Sequence, residues 1–124
     1  MSTQDPIVIV AAKRTPMGGF MGGLSAVSAT TLGATAIRGA MDAANLSNDQ
    51  VDEVIMGCVL PAGLKQAPAR QAALEADLDL STACTTINKV CGSGMKAAMQ
   101  AHDALLAGSI DVAIAGGMES MTNA

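Results

Sequence analysis

Three stretches of this chain, residues 53–60 (EVIMGCVL), 84–90 (CTTINKV) and 111–117 (DVAIAGG), are short, strongly apolar and show little polar alternation. A strand wetted on one face alternates, whereas a strand covered on both faces reads as a near-continuous apolar run. Residues 7–12 (IVIVAA) form a fourth such run, bounded by Pro6 and by Lys13–Arg14. Between the runs the period changes to that of a helix. Apolar positions Leu32, Ala36, Ile37, Ala40, Met41 and Ala44 predict a helix over 31–44, with Thr30 or Thr31 as N-cap. Pro68 suits the first turn of an Ala-rich helix over 68–76, and a further helix is predicted over 94–107. Ser47 and Gln50 have the spacing of a capping box for a short turn. The resulting order is β-α-β-α-β-α-β, which implies an α/β fold with a mostly parallel sheet, right-handed crossovers and helices on its faces. With no repeat or linker in the sequence, residues 1–124 read as one unit.

Composition narrows the core and the partners. Of 124 residues one is aromatic, Phe20, while nine are Met, so the core is expected to pack small and flexible side chains closely. The formal net charge is −4 and the seven Lys and Arg do not cluster, so no electrostatic footprint for nucleic acid is present. No run approaches the roughly 18 apolar residues of a membrane helix, and the first residues lack a signal-type segment, which gives a cytoplasmic location as the expectation. The three cysteines at 58, 84 and 91 form no C-x-x-C pair, and His102 is the one histidine. That pattern argues against a metal site and against a disulfide framework.

Cys91 stands where a predicted strand hands over to a predicted helix. In an open parallel sheet such junctions, at the carboxyl ends of strands, are where ligands bind. Free N–H groups and the helix dipole there favour the thiolate, lowering cysteine pKa values to roughly 3.5–7.5 in known cases. Gly92 and Gly94 would let a carbonyl approach the backbone, and the Cys91 N–H could help hold an oxyanion. The bland alternative is a buried cysteine acting as a small hydrophobe, with glycines that permit close helix–sheet packing. A third reading takes residues 92–97 (GSGMKA) as the G-x-G-x-x-A dinucleotide fingerprint. Against it, the acid about 20 residues on is Asp111, at the wrong end of its strand for a ribose. Cys84 lies at the opposite end of its strand from that junction. His102 falls on the apolar stripe of its helix, about 16 Å along the axis from Cys91 by helical rise, beyond hydrogen-bond reach.

The motifs CTTINKVCGSGMKA (84–97), RTPMGGF (14–20), CVLPAG followed by QAPARQAAL, and AGGMES (115–120) together resemble the N-terminal part of a thiolase. The form around Cys91 most resembles that of the short-chain acetyl-CoA acetyltransferases, which make or cleave acetoacetyl-CoA. The resemblance implies that Cys91 is the thiol acylated by substrate and that its backbone N–H is one oxyanion donor. Cys84, whose STAC setting resembles a ketoacyl synthase pattern, is then structural. It further implies coenzyme A thioesters as substrates with no separate cofactor, a place in fatty acid metabolism, and a homo-oligomer. A complete thiolase is longer. Its later part supplies a Gly-His-Pro histidine, an Asn-Glu motif, a Cys-x-Gly cysteine, a coenzyme A loop domain and a fifth strand. The chain is therefore expected to be a nucleophile-bearing fragment that is inactive alone, or else a pairing module or one chain of a split enzyme.

Overall fold

The computed structural model describes residues 5–124. Helix α1 (Ala29–Ala44) begins two residues earlier than its periodicity predicts, because Ser28, with extended backbone angles, caps it by accepting from the Thr31 N–H at 3.1 Å. It ends at Asn45, whose left-handed φ of 53° turns the chain away. At Ser47–Gln50 half of the capping box forms. The Gln50 side chain accepts from the Ser47 N–H at 2.8 Å, but the Ser47 hydroxyl turns to Asp49, and no helix follows.

Strands β1 (Glu53–Gly57), β2 (Ala83–Ile87) and β3 (Ala113–Gly117) form one parallel sheet in the order β2-β1-β3. Helix α2 (Pro68–Glu75) connects β1 to β2, and α3 (Ser93–Leu106) connects β2 to β3. Along β1 the side chains alternate between two cores. Val54 and Met56 pack with Ile37, Met41, Ala69, Ala72 and Met118 on the face of α1 and α2, while Ile55 packs with Ala97 and Ala101 of α3 on the other. Helices thus lie on both faces of the sheet, but only β1 is buried on both; the residues of the outer strands β2 and β3 are half-buried or exposed, although their runs show no alternation. Its layers approach closely where glycine or alanine stands: a Cβ on Gly33 would lie 2.6 Å from the Met118 sulfur and 3.3 Å from the Ala72 Cβ.

The fourth strand expected over 7–12 does not form. Those residues join no ladder, and Ile9 is 90% exposed. A strand needs a neighbour for its N–H and C=O groups; β1 is paired on both sides, by β2 and β3, and residues 7–12 pair with neither of those outer strands.

Candidate active site

The outgoing connection of β1 leads to α2 on one face, and that of β2 leads to α3 on the other. The carboxyl ends of these two adjacent strands therefore splay their loops apart and leave a crevice. Cys91 occupies the loop after β2. It is exposed, whereas Cys58 is buried and Cys84 half-buried.

The loop around Cys91 is a tight elbow held by side chains. Val90 takes a left-handed φ of 47°, an outlier conformation for a β-branched residue. Two neighbours support it. The Asn88 side-chain oxygen accepts from the Val90 N–H at 2.9 Å, and the Ser93 hydroxyl donates to the Val90 carbonyl at 2.6 Å. Ser93 also accepts from the Lys89 N–H at 2.8 Å and is itself buried. These bonds take backbone groups that would otherwise extend β2, so the strand ends at Ile87 rather than at the expected Val90. Gly57 on β1 makes room for the elbow: a Cβ there would sit 2.6 Å from the Ser93 Cβ. Gly94 packs on Gly117, with a hypothetical Cβ 3.6 Å from the Gly117 nitrogen.

Cys91 opens into a cleft of about 470 Å³ whose walls include Gly57, Val59, Leu60, Gly117, Met118 and Glu119. A second cleft of about 370 Å³, between the 15–20 loop and residues 119–122, shares Glu119 as a wall. The Glu119 carboxylate closes the end of β1. It accepts from the Val59 N–H at 2.8 Å and from the Leu60 N–H at 2.9 Å, which stops β1 at Gly57 instead of Leu60. Burial pushes the Cys58 thiol above its ordinary pKa, and the negative charge of Glu119, 3.8 Å from its sulfur, adds to the rise.

The other sequence candidates lie elsewhere. Cys84 pairs with Val54 near the amino end of β2, away from the crevice. Its sulfur lies 3.5 Å from the Thr82 carbonyl and 4.0 Å from an Arg70 nitrogen. His102 is exposed on α3, 3.4 Å from Asp103. Asp111 precedes β3 at the end of the sheet opposite Cys91, and Glu119, beyond the other end of β3, has both carboxylate oxygens engaged by the Val59 and Leu60 N–H groups, so neither acid is free to hold a ribose. No group of three or more His, Cys, Asp or Glu among the described residues is arranged to hold a metal ion. Asn88, Ser93 and Glu119 were not marked by any sequence signal beyond their place in the quoted motifs: Glu119 and, in part, Asn88 act on the backbone of residues 59–60, far away in the chain, while Ser93 acts locally on Lys89 and Val90.

The family model described as "Thiolase, N-terminal domain" matches residues 7–124. The chain belongs to the thiolase family. Mitochondrial acetyl-CoA acetyltransferase of Homo sapiens is 55% identical over 121 residues, which is 98% of this chain and 28% of that protein. Its Danio rerio counterpart is 58% identical over 118 residues, 95% of this chain and again 28% of the relative. A crystal structure of Acat5 thiolase from Ascaris suum in complex with coenzyme A superposes with a TM-score of 0.92 at 40% identity, covering 94% of this chain and 30% of that one. The chain thus spans under a third of the length of the thiolases it matches. The expectation of a cytoplasmic location is overturned, because the acetyl-CoA acetyltransferases of Homo sapiens, Bos taurus, Mus musculus and Danio rerio that the chain matches are mitochondrial proteins.

Proposed function

We propose that this chain is the nucleophile-bearing part of an acetyl-CoA acetyltransferase and that Cys91 carries the acyl group. The observation that supports this best is the elbow. An exposed thiol follows a left-handed Val90, directly ahead of the amino end of α3, and faces a cleft. Strained backbone of this kind persists where the surroundings over-determine it, and it presents one side chain at a site of reaction.

The chemistry follows from that placement. The Cys91 sulfur attacks the carbonyl carbon of an acyl thioester, and the carbonyl electron pair moves to oxygen. The backbone N–H of Cys91 and the dipole of α3 favour the oxyanion. Collapse expels coenzyme A as its thiolate and leaves an S-acyl cysteine. A second acyl-CoA, as its enolate, then attacks the S-acyl carbon, a C–C bond forms, and the Cys91 sulfur departs with the electron pair. The reverse sequence cleaves the C–C bond. Proton transfers need a base beside Cys91, and the single histidine lies about three helical turns along α3. Glu119 lines the same cleft, but both its oxygens accept from the Val59 and Leu60 N–H groups, so catalytic turnover requires a base other than these two side chains.

Incubation with acetyl-CoA, acid quenching and peptide mass mapping tests the assignment. One acetyl group is expected on the Cys91 peptide and none after Cys91→Ala. Acetylation at Cys84, or no acetylation at Cys91, would refute it.

A second reading, association with another polypeptide or with a second copy, is favoured by exposed apolar side chains. Met95 and Met99 on α3 are 75% and 53% exposed, and Val8, Ile9 and Val10 have no strand partner.

A further inference from the structure

We propose that Glu119 is a positioning residue for Cys91, acting through the turn at 58–60 and through Asn88. The proposal rests on reading Cys91 as the nucleophile. Its basis is the Val59 backbone, whose N–H and carbonyl are each held by a different side chain. Its N–H donates to Glu119 at 2.8 Å, and its carbonyl accepts from the Asn88 side-chain nitrogen at 3.3 Å. Asn88 in turn accepts from the Val90 N–H at 2.9 Å. Three successive hydrogen bonds therefore join a carboxylate at the end of β3 to the residue immediately before Cys91. Cys58 strengthens the frame by donating its N–H to the Ile87 carbonyl at 3.0 Å, and Met118 does so by donating to the Gly57 carbonyl at 2.9 Å.

The chemistry of the side chain fits this role better than proton transfer. One carboxylate oxygen receives the Val59 N–H and the other the Leu60 N–H, so both are engaged as acceptors. Charge-assisted bonds of this kind are about twice as strong as neutral ones. Glutamine, of the same shape, would turn an NH2 donor toward one of those N–H groups. Val59 and Leu60 line the same cleft as Cys91, so the carboxylate that holds their N–H groups fixes part of its wall. Val90 gives the relay something to hold, since a β-branched residue leaves φ 47° when its supports are withdrawn.

The test is the iodoacetamide alkylation rate of each cysteine, resolved by peptide mass, in wild type, Glu119→Gln, Asn88→Ala and the double variant. Each single variant is expected to slow Cys91 about fivefold, because without its supports the left-handed Val90 relaxes and the thiol loses the exposed placement that the elbow gives it. The double variant is expected to be no slower than the worse single, because residues in one network are not additive. Cys84 is expected to stay within about twofold throughout, which a general loosening of the fold would not allow. A Cys91 rate in Glu119→Gln within about twofold of wild type overturns the proposal, and so do losses that multiply in the double variant. Asn88→Ala breaks the same relay without touching the carboxylate. It decides alone if Glu119→Gln fails to fold, with an unchanged Cys91 rate counting against the relay. Wild-type Cys91 reacting no faster than Cys84 would sink the nucleophile reading itself, and this proposal with it.

Discussion

At Val90 the chain accepts a conformation that most residues avoid. A left-handed backbone costs an L-residue roughly 1–2 kcal/mol, and a β-branched side chain sits at the upper end of that range. Asparagine tolerates the region. Val90→Asn is expected to raise the unfolding free energy by about 1 kcal/mol in urea titration, since Val90 is largely exposed and little burial is lost; a destabilised variant would show that the strain is not real. The three thiols should also separate by reactivity. Cys58 is buried beside a carboxylate that opposes its ionisation, so alkylation at neutral pH should leave it unmodified while the exposed Cys91 reacts. Rapid modification of Cys58 in the folded protein would contradict that environment. Its titration has a sign that can be checked. Because its folded pKa is raised, the unfolded chain loses the proton first, and stability should fall as pH rises beyond the ordinary thiol value of 9.0. Cys58→Ala should flatten that alkaline limb.

The strands are shorter than their apolar runs, and each is stopped by a polar side chain. Glu119 takes the N–H groups after Gly57, and Asn88 with Ser93 takes those after Ile87. At the start of β3 the Asp52 carboxylate accepts from the N–H groups of Asp111 and Val112, so the strand begins at Ala113 rather than Asp111. The bond from Asp111, followed by that from Val112, holds Asp52 below its ordinary pKa of 3.8. A depressed carboxylate contributes stability that is present above the unfolded pKa and lost as pH falls through the folded one. Asp52→Asn should therefore be less stable than wild type near neutrality, with the difference closing under acid denaturation below about pH 4. A difference that stayed constant down to pH 2 would deny the linkage. Packing between elements is as exacting. A Cβ on Gly57 would lie 2.6 Å from the Ser93 Cβ and 2.7 Å from its carbonyl carbon, neither of which is a flexible tip. Gly57→Ala should cost about 2–3 kcal/mol in chemical denaturation, as overpacking does, and should perturb the Cys91 elbow that Ser93 supports.

For the whole molecule the question is what the described fold leaves open. Both edges of the three-stranded sheet, at β2 and β3, lack a further strand among the described residues, and the apolar segment at 7–12 joins no ladder. Unpaired edges and exposed apolar faces promote association. Sedimentation of the purified chain is expected to show species larger than a monomer that increase with concentration. A monodisperse monomer that binds no hydrophobic dye would argue against the second functional reading. Thiolase turnover by this chain alone is expected to be absent, because a thiol and one backbone donor without a base retain only a small part of the rate of a complete set of groups. Loss of acetoacetyl-CoA absorbance on adding coenzyme A, abolished by Cys91→Ala, would disprove that.

The local code of the chain determined the helices and the parallel character of the sheet. Apolar runs without alternation needed cover on both faces, and Pro68 and the Ala spacing marked α2 where it forms. The place of Cys91 at the mouth of α3 was also legible, since a cysteine between an apolar run and two glycines is a local pattern. Tertiary structure decided where the strands end, because the side chains that end two of them come from far away in the chain: Glu119 is about 60 residues from the turn it closes, and Asp52 a similar distance from β3. It decided that residues 7–12 remain outside the sheet, since strand pairing depends on a neighbour and not on the propensity of the strand itself. It also decided the crevice, which exists because α2 and α3 leave adjacent strands toward opposite faces, a choice of topology that no single stretch of sequence contains.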